Sequence, residues 1–341
     1  MRPTHDALAS STLLELGARG RLDGKPFTLL GRTCIRDRRG ALSNEWTLRF
    51  DDGRICFLAE SAGSFRLYEE GSLIPALTRI VVGAPLDTGF VVVERGEATR
   101  VARWGAADDA PASYTYVDLS GRAGEVATID FGSEPPRVFV GRKVALAELS
   151  LEARADPVRF IPAPDVSRPA GVETWLEIGE AGELEGARYR VVGMISRSSG
   201  TSQGGDRTRW DEYLLFDPAI GVRWLVVADG HWSLVEAIDA GRIVERDGGA
   251  SVELDGVTYE PLSEEAVARV EWACGELPWE VAIGETSHVQ DYVHAPWILT
   301  RERTPDEMTW SRATYLAPDA IVQGFGKRPL PRPSGRAPNE L

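Results

Sequence analysis

The sequence predicts an all-β protein with few short helices, made of two homologous units. Each unit reads as small antiparallel β-barrel- or sandwich-like blocks. Three observations carry this. Short runs alternate aromatic or aliphatic with polar residues between Gly/Asp turns, the period of half-buried strands. The 35 glycines and 21 prolines among 341 residues favour turns over long helices. A long stretch of the chain also occurs twice, and no strand–helix alternation of the kind a parallel α/β sheet needs is visible.

Taken in order, residues 1–13 read as a frayed arm and residues 14–150 as the first β unit. It opens with Leu14-Glu15-Leu16-Gly17, then Gly20, Leu22, Gly24, Phe27, Leu30 and Gly31. Residues 151–171, with Pro157, Pro162, Pro164 and Pro169, read as an extended linker. The second β unit, 172–325, opens with Leu176-Glu177-Ile178-Gly179, then Gly182, Leu184, Gly186, Tyr189, Val192 and Gly193, each offset by 162. The loop Ser196–Arg209 adds five residues, and the match resumes at offset 167 with Glu45 against Glu212 and Trp46 against Tyr213. Phe57-Leu58 then face Trp224-Leu225.

A further β-rich block follows in each unit. In the first it covers Phe90–Glu94, Ala98–Trp104, Tyr114–Val117, Glu125–Phe131 and Arg137–Val140, with Arg79–Val82 before them. In the second it covers Ser251–Tyr259, Ala266–Trp272 and Trp279–Ile283. Ala123-Gly124-Glu125-Val126 is matched with Cys274-Gly275-Glu276-Leu277, and a short helix is expected within 312–325. The stretch 326–341 is a basic, Pro-rich tail expected to be disordered.

Charge narrows the choice of partner. Residues 1–160 hold 21 basic and 22 acidic side chains, whereas 161–341 hold 17 and 30. That acidic field opposes nucleic acid and attracts a basic or membrane-peripheral protein. The tail, with Lys327, Arg328, Arg332 and Arg336, is suited to strap onto an acidic surface or anionic lipid. Three cysteines without a C-x-x-C suit a reducing compartment, and no apolar run approaches a membrane span, so the expected location is cytoplasmic.

No catalytic constellation emerges. His288, Asp291 and His294 are close in sequence but lack a zinc-binding pattern, so no metal or cofactor is expected. Ala59-Glu60-Ser61-Ala62-Gly63 reads as a hairpin, not a nucleophile elbow. Phosphate-binding loops are absent, and the Ser/Gly loop Ser198–Gly205 reads as a hairpin tip able to meet a partner. Glu45 and Glu212 hold the same place in both units. Paired carboxylates in one cleft do acid–base chemistry, but alternation predicts that each points to solvent while its aromatic neighbour packs. Tryptophans concentrate in the second unit, where Trp297 and Trp310 lie in loop-like, polar segments. The candidate partner-binding residues are Glu45, Trp210, Glu212, Asp291, Trp297 and Trp310.

These motifs resemble a bacterial family known as a domain of unknown function, number 4178. The resemblance rests on the L-x-[LI]-G opening, on Trp210, Glu212, Tyr213 and Leu215 as W-x-E-Y-x-L, and on Trp224-Leu225. Gly275–Gly284, Asp291-Tyr292-Val293, Trp310-Ser311 and Tyr315 add to it. It covers Leu14 to Phe325 as two copies, the first departing with Asn44 where Trp210 stands and Phe57 for Trp224. The family implies no established activity; its members are often encoded beside membrane-stress and polyamine-related proteins. Some members carry an N-terminal zinc ribbon, whose cysteines this chain lacks, so metal binding does not carry over. The resulting expectation is a non-enzymatic protein-binding accessory module. The alternative is a hydrolase or carbohydrate-binding enzyme with a carboxylate/aromatic cleft between the units.

Overall fold

Among the described residues, five two-residue turns place both central residues at positive φ: Asp23-Gly24, Ala62-Gly63, Glu185-Gly186, Asp229-Gly230 and Asp255-Gly256. This is the backbone of the type I′ turn, whose twist matches that of the strands it joins. In the computed structural model these turns join antiparallel strands, and the chain is nearly all β. The structure describes residues 8, 11–72, 80–154, 160–200, 208–326 and 328–340. Arg79, the tip 201–205 of the Ser/Gly loop and Lys327 lie outside the described residues. Two compact units divide at Ile161/Pro162, apart from two short segments.

The first unit contains β1 (Arg19–Leu22), β2 (Lys25–Asp37), β3 (Leu42–Phe50), β4 (Ile55–Ser61), β5 (Ser64–Gly71), β6 (Val91–Gly105), β7 (Ser113–Ser120), β8 (Glu125–Asp130) and β9 (Arg137–Val144). Their order is β1-β2-β3-β4-β5-β9-β8-β7-β6, and pairing of β2 with β6 closes eight of them into a barrel.

The second unit contains β10 (Ile161–Pro162), β11 (Ala181–Leu184), β12 (Ala187–Gly200), β13 (Thr208–Asp217), β14 (Gly221–Ala228), β15 (His231–Ile238), β16 (Ile243–Arg246), β17 (Ser251–Leu254), β18 (Val257–Pro261), β19 (Ala266–Leu277), β20 (Thr286–His294), β21 (Trp297–Arg303) and β22 (Met308–Leu316). Here β12-β13-β14-β15-β22-β21-β20 closes through β19, which pairs with both β20 and β12. The ring has the strand order of the first, with β16–β18 added beside β20. A helix, α1, follows at Pro318–Phe325, with Pro at its start and Ile321 and Phe325 buried.

Where each ring closes, two glycines face each other. Gly31 pairs with Gly105 and Gly193 with Gly275, each beside a bulge in the preceding ladder. A Cβ on Gly31 would lie 2.4 Å from the backbone of Ala106, and one on Gly193 lies 2.3 Å from the Glu276 carbonyl. Side chains are excluded there, which lets the strands bend. The ladder thus matches Gly275 with Gly105, not with Gly124 as the sequence suggested.

The first barrel is polar inside and apolar outside. Val117 and Leu119 of β7, Ala127 and Ile129 of β8 and Val138 of β9 face outward, covered by Phe90, Ile80, Val82 and Leu86. On the other flank Trp46, Leu48 and Phe50 of β3 and Leu58 of β4 are buried, as are Leu13, Leu14 and Leu149 from outside the ring. The covering segment is pinned by a buried carboxylate. Glu60 accepts from the Leu13 N–H (2.5 Å), the Thr12 hydroxyl (2.5 Å) and the Trp46 indole N–H (3.0 Å). Residues 11–14, expected to fray or merely to begin the unit, are therefore structural.

Three other expectations change. Trp279–Ile283 is not a strand, and the stretch from Thr286 to Leu316 forms three strands of the second ring. β17 and β18 belong to the added hairpin, not to the ring. Finally, residues 328–340 lie along the second unit: Arg328 Nη1 is 2.9 Å from Glu180 Oε2, the Ser334 N–H donates to Asp229 O (2.8 Å), and Asn339 is buried. Gly230 has no Cβ to obstruct the Arg332 carbonyl, which allows that approach.

Candidate functional site

Strand alternation in the first barrel puts a second, polar set of residues inside the ring. Ser43 and Glu45 of β3, Phe57 and Ala59 of β4, Arg66 and Tyr68 of β5, and Tyr114, Tyr116 and Asp118 of β7 are two residues apart and face one cavity. All eight ring strands contribute to its lining, and its volume is about 190 Å3. One end is apolar, with Phe57, Tyr68, Val126 and Phe139 in one cluster and the Phe57 and Phe139 rings edge to face at 5.4 Å. Elsewhere the lining is charged: Asp37, Glu45, Glu94, Asp118 and Asp130 against Arg66 and Arg100.

Most of these charges are satisfied. Arg100, nearly fully buried with Asp130, reaches that carboxylate at 2.5 Å, donates to the Pro111 carbonyl at 2.6 Å and lies 3.8 Å over the Tyr114 ring. Thr128 donates to Asp118 (2.7 Å), and the Tyr116 hydroxyl donates to Glu94. Burial raises the Asp118 carboxyl above the usual range, against the pull of Thr128 and Arg66.

Glu45 differs. Among the described residues it receives no hydrogen bond and no ion pair, and what surface it keeps opens on the cavity. Burial is the main cause that raises its carboxyl; Arg100 and Arg137 oppose the shift, while Asp108 and Asp130 add to it. A partly desolvated carboxylate without a protein donor costs on the order of 1 kcal/mol.

The second ring solves the same problem with its own side chains. Glu212, the counterpart of Glu45, accepts from the Trp210 indole N–H at 2.6 Å and lies 3.4 Å from Arg197. Arg197 crosses the ring to Glu302 (2.7 Å) and to the Ser287 hydroxyl (2.6 Å). Burial works against the Arg197 charge, but Glu212 and Glu302 more than offset it and raise its pKa. Asp291 accepts from Thr300 at 2.6 Å, as Asp118 does from Thr128, and each is a cross-strand pair.

Register shows why the two interiors differ. Ile35 pairs with Ser43 in the first ring, where Arg197 pairs with Trp210 in the second. Trp210 therefore corresponds to Ser43, and Asn44 to Asp211, which corrects the expected match of Asn44 with Trp210. Likewise Arg100 pairs with Ile35 where Val270 pairs with Arg197. The first interior lacks both groups that hold Glu212, and gains an arginine that binds Asp130 instead.

The other candidates are placed as follows. Glu45 and Glu212 face barrel interiors, not solvent, each within its own ring. Trp210 and Glu212 meet inside the second, while Asp291 faces inward beside Thr300 and Glu302. Trp310 is buried on the outer face of its strand, 5.8 Å from the Tyr292 ring, so it offers nothing to a partner. Trp297 is half-buried on that face between His294 (6.3 Å, stacked) and Arg312 (5.7 Å). His288 pairs with Glu265, and His294 with the Thr258 carbonyl. Both alternate out of phase with Asp291 along β20, so the three do not converge. Sequence reasoning missed Arg197, Glu302, Arg100 and Asp118. The signal was there in Tyr114, Tyr116 and Asp118, polar at every second position of a strand whose other face is Val117 and Leu119.

Fold and site together define a protein of closed antiparallel barrels with polar interiors, the first of which holds a cavity. Within that class, residues 177–318, the body of the second unit, match the model of the family described as "Domain of unknown function (DUF4178)". No curated protein matches the chain. Among solved structures, a protein with unknown function from the DUF3598 family of Nostoc punctiforme is similar at 12% identity, over 92% of this chain and 99% of that one. The TM-score of 0.16 is too low for that likeness to bear on fold or function. Among the described residues no helix is long and apolar enough to cross a membrane.

Proposed function

We propose that the protein is a non-enzymatic accessory module made of tandem domains of this family, whose first barrel receives a small polar ligand. The observation that carries the reading is Glu45, a half-buried carboxylate with no protein donor among the described residues, facing a cavity of about 190 Å3. Such a volume takes on the order of ten water-sized groups. The second barrel, its interior spanned by Arg197, is a closed support, and its acidic surface is available to a basic protein partner. Tandem descent is supported by the shared strand order, the facing glycines, Glu45 with Glu212, and the two Asp–Thr pairs. Cytoplasmic residence belongs to the same proposal and is supported by three unpaired cysteines.

A ligand-observed NMR screen of polar fragments tests the reading. Hits on the full chain that disappear in Ser43→Trp, which places an indole in the cavity, are the expected result. A screen without a single hit sensitive to that substitution removes the proposal.

A further inference from the structure

We infer that the first barrel takes a small organic cation, with an alkylammonium or guanidinium head seated at Glu45 and its short chain among the aromatic rings. This rests on the reading of that interior as a ligand-receiving space. The second barrel shows what the site demands, because Arg197 is itself a guanidinium on an alkyl stem lying inside a ring of the same topology. There it meets Glu212, Glu302 and Ser287 at 3.4, 2.7 and 2.6 Å. In the first ring its position is Ile35, and that of the Trp210 donor is Ser43. Arg100 does not replace it at Glu45, since its two terminal nitrogens are engaged by Asp130 and the Pro111 carbonyl. One carboxylate is thus left over, together with the space of the two side chains that would have answered it.

The lining selects the sign and the kind of ligand. Five carboxyl groups against two arginines exclude an anion. A bare metal ion requires several converging ligands, and among the described residues no group of three or more His, Cys, Asp or Glu converges in that way. The lining rings already carry guanidinium heads, Arg100 over Tyr114 at 3.8 Å and Arg137 over Phe139 at 4.8 Å, which shows their affinity for a cation, and the Phe57–Tyr68–Phe139 end offers apolar surface to a stem. A neutral polyol would leave the Glu45 charge uncompensated.

Isothermal titration of the full chain with n-alkylammonium chlorides, methyl to hexyl, tests this against 1-butanol and sodium butyrate at matched ionic strength. Saturable binding of n-butylammonium is expected, with neither butanol nor butyrate binding. Glu45→Gln, nearly isosteric, should weaken n-butylammonium about tenfold or more, and the graft Ile35→Arg with Ser43→Trp should abolish it while raising the melting temperature. Butanol binding as well as the ammonium, with no effect of Glu45→Gln, overturns the cation and leaves a ligand-receiving barrel. Absence of binding by every probe, with no fragment hit lost in Ser43→Trp, overturns both. Should the graft not fold, Glu45→Gln alone decides the charge preference.

Discussion

Glu45 and Glu212 are the same residue in the same place, yet one has donors and the other has none. Replacing Glu45 by Gln removes a desolvated charge and keeps its shape. Melting at pH 7 should show Glu45→Gln to be more stable by about 1–2 kcal/mol. The pH dependence follows from the raised carboxyl. A folded-state pKa above the unfolded value means that the folded chain holds a proton which the unfolded chain has lost. The associated stability is present below the unfolded pKa and is lost as pH rises through the folded one. Wild-type stability should therefore climb as pH falls from neutral towards the carboxylate range, and Glu45→Gln should flatten that climb in a urea-denaturation series; Asp118 and Glu60 shift in the same direction. Arg197 gives the opposite experiment. Arg197→Met removes the counter-charge of Glu212 and Glu302 in the second ring, and chemical denaturation should register a loss of about 3 kcal/mol. The pairing of Glu45 with Glu212 was legible in the sequence but its direction was not. Alternation says only that Glu45 opposes Trp46, and the covering Leu13–Leu14 segment, remote in sequence, makes the aromatic side the outer one.

At the scale of elements, both rings depend on facing glycines at closure. Gly31→Ala and Gly193→Ala push a methyl group into backbone atoms, and each should cost about 1–3 kcal/mol with early loss of amide-exchange protection in β2 and β6, or in β12 and β19. The pairs β1–β2, β3–β4, β4–β5, β11–β12 and β14–β15 are legible because their turns carry Asp-Gly, Ala-Gly or Glu-Gly. The strands β20 to β22 were not. Asp291, Thr300 and Glu302 point into the ring, so the apolar signal of Tyr292, Leu299 and Trp310 is diluted by polar neighbours that are also buried. Of the added strands β16–β18, Ser251–Tyr259 reads as part of the repeat from its strand propensity; only the pairing of β18 with β20 shows otherwise, and pairing partners are not encoded locally. The tail misled for a related reason: its composition is that of disorder, but Arg328 has Glu180 beside it and Gly230 leaves room for the backbone.

For the whole molecule, duplication has left two rings of one topology and two interiors that differ by a few exchanges. The offset of 162, then 167, made the duplication plain, while the exchange of Arg197 and Trp210 for Ile35 and Ser43 came into view only through the ladder register. It also makes the comparison reversible. Arg197→Ile with Trp210→Ser should open the second ring, lower its melting temperature, and confer on it alkylammonium binding that Glu212→Gln then removes, as followed by titration and by exchange protection on β12–β22. A vessel that is emptied of its counter-charge is least stable when it stands vacant. Occupancy at a hundredfold excess over Kd would add about 2.7 kcal/mol to the folded state by mass action. The cellular amount of such a chain would then rise and fall with the supply of its cargo, since proteases clear the unfilled form first.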